Sequence, residues 1–475
     1  MRDYQFLREV YQGVIGHDQI ISSAFDIMDQ VHSEGIKQPI TLLFQRADYM
    51  ICEKNRNDNE DSEIYELKQI EVNGSAIGGL AFSELIANLH KRILSKLGLN
   101  LENSVENLTL SNTVEALYKA WVKFGKQNAV ILIIEFPLYN HNESLIIKKQ
   151  LNNNYGINVF VWSLEYCAKK RQQKLTLDEN DFTLRLGQRH DVAVVFNQQN
   201  MLDERPELLE VRRIIERSTA IKAPSLIAVL AHSKKIQQVL SEPGMVERFF
   251  PNPEEAPLIK AIRDTYSNMW RIEKNENNEQ FSAIVDRVKN QPNNFVMMQS
   301  LYDLWDALFK TIRDTYSNMW RIEENENNEQ FTEIIERVKK QPNNFVLKKT
   351  EYALWDAWIK RDVKKIYFGQ AILETLEKFG ADKRWAYILM EKLLPMSVKN
   401  HIVWAKDKEG SRRGDFFEEV TPELGIYGTL FGNISNGEVL YNTQLCHKLK
   451  TKLASENEGG IASGNSAYDS AYLVD

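Results

Sequence analysis

Along the first half of the chain, short apolar runs alternate with longer stretches whose apolar residues recur every three or four positions. "ITLLF" and "YELKQIEVN" read as strands on either side of a polar, acidic loop, "EKNRNDNEDSE". In "LAFSELIANLHKRILSKLG" the spacing turns helical, and Gly98 stands where a left-handed residue would cap the helix. "NAVILIIE", "INVFVW" and "DVAVVF" are short, rich in β-branched residues and separated by helix-like stretches, the pattern of strands buried in a largely parallel sheet. This alternation predicts a mixed α/β (α+β) protein.

The second half repeats itself. "IRDTYSNMWRIEKNENNEQF" from Ile262 recurs from Ile312 with one change, Lys274 becoming Glu324. In each copy apolar residues follow at i, i+3, i+4 and i+7 (Phe281, Ile284, Val285, Val288; then Phe331, Ile334, Ile335, Val338), which predicts an amphipathic helix. "QPNN" breaks it, a short strand follows ("FVMM" or "FVLK"), and "LYDLWDALF" or "EYALWDAWI" resumes helical spacing. Two copies are too few for a solenoid, so a local tandem duplication, 262–311 and 312–361, is expected inside an ordinary domain. Trp305 and Trp355 occupy matching positions and read as core aromatics.

At 475 residues and 43% hydrophobic, the chain can bury more than one core. A net charge of -7 with interspersed signs leaves no broad basic field, which argues against nucleic acid as a partner; "KKRQQK" after Cys167 reads as solvated surface. Cys52, Cys167 and Cys446 have neither disulfide-framework nor zinc spacing. No apolar run reaches the roughly 18 residues of a membrane span, and "MRDYQFLREVY" lacks a basic region followed by an apolar one. A soluble, membrane-free and by default cytoplasmic protein is expected.

Several stretches lift the reading above fold class: "FQRADYM", "LKQIEVN", "NAVILII", "ERSTAIKAPSLIAVLAHSKKIQQVLSEPGM", "NFVLK", "YILMEKL", "PELGIYG" and "KTKLASENEGGIASG". Together, and in this order, they resemble eukaryotic glutathione synthetase, an ATP-grasp ligase. The resemblance implies an ATP-grasp fold with an inserted parallel-sheet substrate-binding subdomain, and a division into 1–125, 126–233 and 234–475. It implies ATP and Mg²⁺ as cofactors, a γ-glutamylcysteine-like dipeptide and an amino acid as small-molecule substrates, and a homodimer. Family enzymes phosphorylate the dipeptide's C-terminal carboxylate, and an amine then attacks the acyl phosphate. Charge gathers on phosphoryl oxygens, so positioning by Mg²⁺ and lysines matters more than a protein nucleophile.

By the resemblance, Glu71 and Asn73 of "IEVN" match metal ligands; at i and i+2 on a strand they share one face. Lys234 and Lys348 match phosphate-binding lysines, Met390, Glu391, Lys392 and Leu393 the adenine hinge, Glu423 a nucleotide-contacting carboxylate, and Lys452 a further phosphate or ribose contact. Arg46, Asn140, Lys450, Ile461 and Ala462 fall on the substrate side. Taken singly, each of these residues is an ordinary surface or strand residue, and the joint order carries the inference.

The departures cluster where the reaction is defined. Tyr352, Ala353, Leu354 and Trp355 stand where the family has a metal-binding Glu and a phosphate-covering glycine triplet, and Glu351 is one residue early for the third metal ligand. Glycine lets backbone approach phosphate closely, and leucine or tryptophan does not. Gln198 and Met201 replace the family's arginine and tyrosine, removing a charge-assisted clamp and a hydroxyl. Lys450 replaces an arginine and loses its bidentate fork. The serine loop "GSAIGG" is two residues short. These changes are similar to those of the secreted glutathione-synthetase-like effectors of plant-parasitic nematodes. Two readings follow: a ligase with weakened or redirected glutathione-forming activity, or a non-catalytic effector on the same scaffold, delivered to a host after loss of its signal peptide. On this reading Lys348 of the second copy faces the nucleotide, while Met298 of the first is packed or peripheral within inserted bulk.

Overall fold

The computed structural model of the chain describes residues 3–53, 65–75, 77–135, 141–171, 173–199, 205–267, 269–271, 387–404, 414–456, 461 and 466–473, with the strand residues 295–299, 345–348 and 366–368. The strands in chain order are β1 (Ile40–Glu53), β2 (Tyr65–Asn73), β3 (Val130–Ile134), β4 (Val159–Trp162), β5 (Leu175–Leu177), β6 (Leu184–Leu186), β7 (His190–Asn197) and β8 (Ile221–Ala223). They continue as β9 (Met269–Arg271), β10 (Phe295–Gln299), β11 (Phe345–Lys348), β12 (Ile366–Phe368) and β13 (Tyr387–Glu391). The last are β14 (Val398–Trp404), β15 (Gly414–Asn433), β16 (Val439–Leu453) and β17 (Ser466–Asp469).

Among the described residues these strands form two sheets. The larger runs β17-β16-β15-β1-β8-β7-β3-β4, with β2 on β1, β14 on β15 and β6 on β7. Strands β7, β3 and β4 are parallel, as their apolar runs predicted; β8, which the sequence reading did not foresee, is parallel to β7 and joins them to β1 through Thr41 opposite Lys222. The parallel strands and the long antiparallel ones are therefore one continuous sheet.

Every residue of β3 is buried because both its faces are covered. The two-residue period sorts its side chains. Ile131 and Ile133 pack with Leu117 of the helix Thr109–Phe124 and Leu151 of the helix His141–Tyr155. Val130, Leu132 and Ile134 pack on the other side with Val211 and Ile215 of the helix Pro206–Arg217. The helix foreseen before Gly98 spans Phe82–Lys96, and Gly98 takes the positive φ of 71° that its side-chain-free backbone permits.

The smaller sheet holds the duplication. Strands β10 and β11, the "FVMM" and "FVLK" of the two copies, pair in parallel with Phe295 opposite Phe345 and Met298 opposite Lys348. Yet the strand beside β13, which carries "YILME", is β10, with Val296 opposite Met390. The first copy is thus not bulk outside the sheet, since its strand abuts β13. The near-identical copies have equal strand-forming patterns, so sequence order alone does not decide which one takes the inner place. The helices expected within each copy lie outside the described residues.

The short helix Lys234–Ser241 contacts β2 of the larger sheet and β9 and β13 of the smaller. Lys68 on β2 also donates through Nζ to the carbonyl of Asp264, at 2.9 Å, and the backbones of Gln69 and Tyr266 bridge. A seam between two sheets is thereby built around Lys234.

Candidate active site

Strand register assembles the site. On β1 and β2, Arg46 lies opposite Asn73 and Asp48 opposite Glu71. On the other side of β1, Arg46 meets Tyr427 and Asp48 meets Gly425 of β15. Beyond β15, Gly425 faces Lys448 and Glu423 faces Lys450, while Thr421 faces Lys452. Alternation puts Glu71 and Asn73, Arg46 and Asp48, Glu423 and Tyr427, and Lys448, Lys450 and Lys452 on one polar face.

Its centre is a buried ion pair. Arg46 donates Nε to Asp48 Oδ1 at 2.6 Å and Nη2 to Oδ2 at 2.7 Å, and Nη1 reaches the Gly78 carbonyl at 3.1 Å. Burial works against the guanidinium's charge, but Asp48 outweighs it and holds its pKa well above the ordinary value. Gly425 makes room for the pair, because a Cβ there would come within 2.7 Å of Asp48 Oδ1 and 2.9 Å of Arg46 Cδ. Tyr427 donates its hydroxyl to the same Gly78 carbonyl, at 2.8 Å. Glu143, buried at the start of its helix, fixes this loop by accepting from the backbone N–H groups of Gly79, Ala81 and Phe82 at 2.9, 2.7 and 3.1 Å.

Toward the seam, Asn73 donates Nδ2 to Asp48 at 3.0 Å and to Glu71 at 3.1 Å. Lys234 is buried; its ammonium donates to the Ile70 carbonyl and to Gln237 Oε1, and lies 4.0 Å from Glu71. Among the described residues no trio of His, Cys, Asp or Glu converges as a metal site. The oxygens present nevertheless suit Mg²⁺, a hard cation that keeps waters and phosphate oxygens as partners. Glu71 would hold it, with Asn73 after a half-turn of its amide; Asp48 is already committed to Arg46. Ser75, in the short loop after Asn73, is buried with its hydroxyl unpartnered among the described residues.

At the far edge, Lys450 pairs with Glu423 at 2.5 Å, and Lys452 donates to the Glu456 carbonyl. Ile461 lies half-buried in the turn beyond β16. Gln198 follows the carboxyl end of β7 and donates its backbone N–H to Ile134 at 2.7 Å. Met390 is buried with Ile388 and Met269, Glu391 ends β13, and Lys392 and Leu393 are half-buried in the crossing to β1, where Met396 donates to the Ile51 carbonyl at 2.8 Å. Lys348 ends β11 opposite Met298. Asn140, Met201, Glu351 and Ala462 lie outside the described residues.

Residues 1–300 and 303–473 match the family model of the eukaryotic glutathione synthase ATP-binding domain. The chain belongs to the eukaryotic glutathione synthase family. Its α/β architecture is accordingly an ATP-grasp fold. The chloroplastic glutathione synthetase of Arabidopsis thaliana is 26% identical over 99% of this chain and 72% of its own length. Glutathione synthetase of Homo sapiens is 26% identical over 99% of this chain and 82% of its own. A solved glutathione synthetase-like effector of Globodera pallida, in apo form, superposes with a TM-score of 0.67 at 27% identity, covering 100% of this chain and 83% of that one. Within this candidate site, sequence reasoning missed Asp48, Glu143 and Lys448. Asp48 and Lys448 were signalled by alternation, in "RAD" and "KLKTK"; Glu143 gave no local signal, because its partners are 61 to 64 residues away.

Proposed function

We propose that the protein is an ATP- and Mg²⁺-dependent carboxylate–amine ligase working through an acyl phosphate, with glutathione formation weakened or redirected to another donor or acceptor. One observation carries this reading: Lys234 stands beside Glu71 at the seam, between the face bearing Arg46 and the hinge strand bearing Met390. ATP laid along that seam would meet the hinge backbone at one end and Lys234 at the other, with Mg²⁺ on Glu71 and Asn73. The chain's residues would neutralise and position phosphoryl oxygens rather than attack. Gln198 and Met201, in place of a cationic clamp, support redirection.

Calorimetric titration with ATP and Mg²⁺ should show binding, and phosphate release should depend on adding both γ-glutamylcysteine, or another acidic thiol peptide, and an amine. Absence of ATP binding would sink the reading.

The likeness to the Globodera pallida effector favours a second reading, a non-catalytic effector on this scaffold, acting in a host rather than in the cytoplasm. ATP binding with no acceptor-dependent phosphate release, across a panel of thiol peptides and amines, would select it. No helix among the described residues is long and apolar enough to cross a membrane.

A homodimer is also proposed. Leu85, Leu89 and Ile93 on the helix Phe82–Lys96, with Leu97 beyond it, form an exposed apolar stripe at four-residue spacing. Leu89→Arg should shift a dimer to monomer in sedimentation; an unchanged mass would remove this face from consideration.

A further inference from the structure

We infer that Lys448 binds a substrate carboxylate that takes no part in bond formation, and so helps set which acid or amine the site accepts. The inference rests on the ligase reading above.

Lys448 lies abreast of Gly425 and Asp48 in the middle of the polar face. Its neighbours are matched: Arg46 has Asp48 at 2.6 Å and Lys450 has Glu423 at 2.5 Å. Lys448 is only 8% exposed, yet no hydrogen bond or ion pair joins it to another described residue. Its ammonium sits 5.6 Å from the ring centre of Tyr468 on β17, a weak partner for a buried charge. A buried ammonium with no directly bonded partner among the described residues is costly even with carboxylates in electrostatic range, and an anion that binds it directly lowers that cost.

Position selects the kind of anion. From Glu71 on β2 to Lys448 on β16 is three strand spacings, about 14 Å at roughly 4.8 Å each. Phosphoryl chemistry held by Glu71 and Lys234 would therefore occur away from Lys448. Lys452, the nucleotide-side lysine, is four residues further along the same strand, about 13 Å at ~3.3 Å per residue. A substrate reacting at the β2 edge would thus offer Lys448 a second, unreacting carboxylate, whether from the donor acid or from the acceptor amine.

Burial lowers the ammonium's pKa to about 7, Arg46 and Lys450 push the same way, and Asp48 and Glu423 oppose them; Glu143 lies within electrostatic range. An arriving carboxylate favours the charged form and raises that pKa. Binding above pH 7 should therefore take up a proton and weaken as pH rises, with little change below pH 7.

The test compares wild type, Lys448→Met and Lys448→Arg for binding and turnover of two donors and two acceptors, with ATP binding as the folding control. The donors are γ-glutamylcysteine and 4-aminobutyrylcysteine, which lacks only the unreacting carboxylate. The acceptors are glycine and glycinamide. Lys448→Met should weaken binding or raise KM at least tenfold for one carboxylate-bearing compound and leave its carboxylate-free analogue unchanged, which identifies the source. Lys448→Arg should recover most of the loss and flatten the decline between pH 7 and 9. Equal effects on both members of each pair, or none, would overturn the inference, as would wild-type binding of none of the four. Should wild type bind but not turn over, a tenfold weakening in Lys448→Met would uphold the inference while the ligase reading fails.

Discussion

Two cations on the same polar face, Arg46 and Lys448, are each more than nine-tenths buried and are treated in opposite ways. Arg46 is gripped bidentately by Asp48, with a third bond to the Gly78 carbonyl. Lys448, two strands away, has among the described residues the Tyr468 ring as its close partner, with no hydrogen bond or ion pair. Arg46 is thus part of the architecture as much as of the proposed substrate face. Lys448 carries a charge that Asp48 and Glu423 offset only at a distance, with no direct ion pair among the described residues.

Breaking the matched pair should give the largest effect. Asp48→Ala strands a buried guanidinium, and removal of one partner from a buried pair costs about 3–5 kcal/mol. Urea denaturation should show that loss, and Arg46→Met combined with Asp48→Leu should restore much of it, because replacing both partners leaves no orphaned charge. A double variant as unstable as Asp48→Ala would mean that the pair itself, and not the stranded charge, sets the cost.

Glu143 comes next. Its carboxylate gathers three backbone donors from the loop that also receives Arg46 and Tyr427. Glu143→Gln keeps one acceptor and loses the charge, so a destabilisation of about 1.5–3 kcal/mol is expected. Amide hydrogen exchange at Gly79, Ala81 and Phe82 should accelerate more than in the helix Thr109–Phe124; equal acceleration would show that the loop depends on something else.

Lys448→Met should move stability the other way. Between its folded pKa near 7 and the ordinary lysine value near 10.5, the unfolded chain binds more protons at this residue, so wild-type stability rises with pH over that window. Lys222, buried and lowered to about 8, contributes in the same sense and remains in the variant. Lys448→Met should therefore be more stable than wild type at pH 7, with a shallower rise toward pH 10. A less stable variant would mean that Lys448 has a structural partner.

Much of this was legible in the chain. The β-branched runs of β3, β4 and β7 and the two-residue spacing of Glu71 and Asn73 state their own geometry. Long-range register was not legible. Nothing in "YILMEK" says that it will lie beside the first "FVMM" rather than the second "FVLK", since pairing partners distant in sequence are chosen by the whole sheet. The same holds for Glu143, whose role exists only once residues 79–82 are folded against it. Lys448 was missed for a different reason: alternation puts it on the site face, but its lack of a direct partner among the described residues is a property of four neighbouring strands together.

The smallest expected effect sharpens the role of burial in this contrast. Glu115 and Lys119 form an i,i+4 pair at 2.7 Å on the helix Thr109–Phe124, with side chains 45% and 38% exposed, and Lys119 also lies over the Tyr441 ring at 3.8 Å. Water solvates both charges when they separate, so Glu115→Gln should cost no more than about 0.5 kcal/mol and less still in 0.5 M salt. Lys119 would keep its aromatic contact in the variant. If Glu115→Gln destabilised the protein as much as Asp48→Ala, the distinction between a stranded buried cation and a solvated one would fail for this fold. The case for Lys448 as a cation waiting for an anion would fail with it.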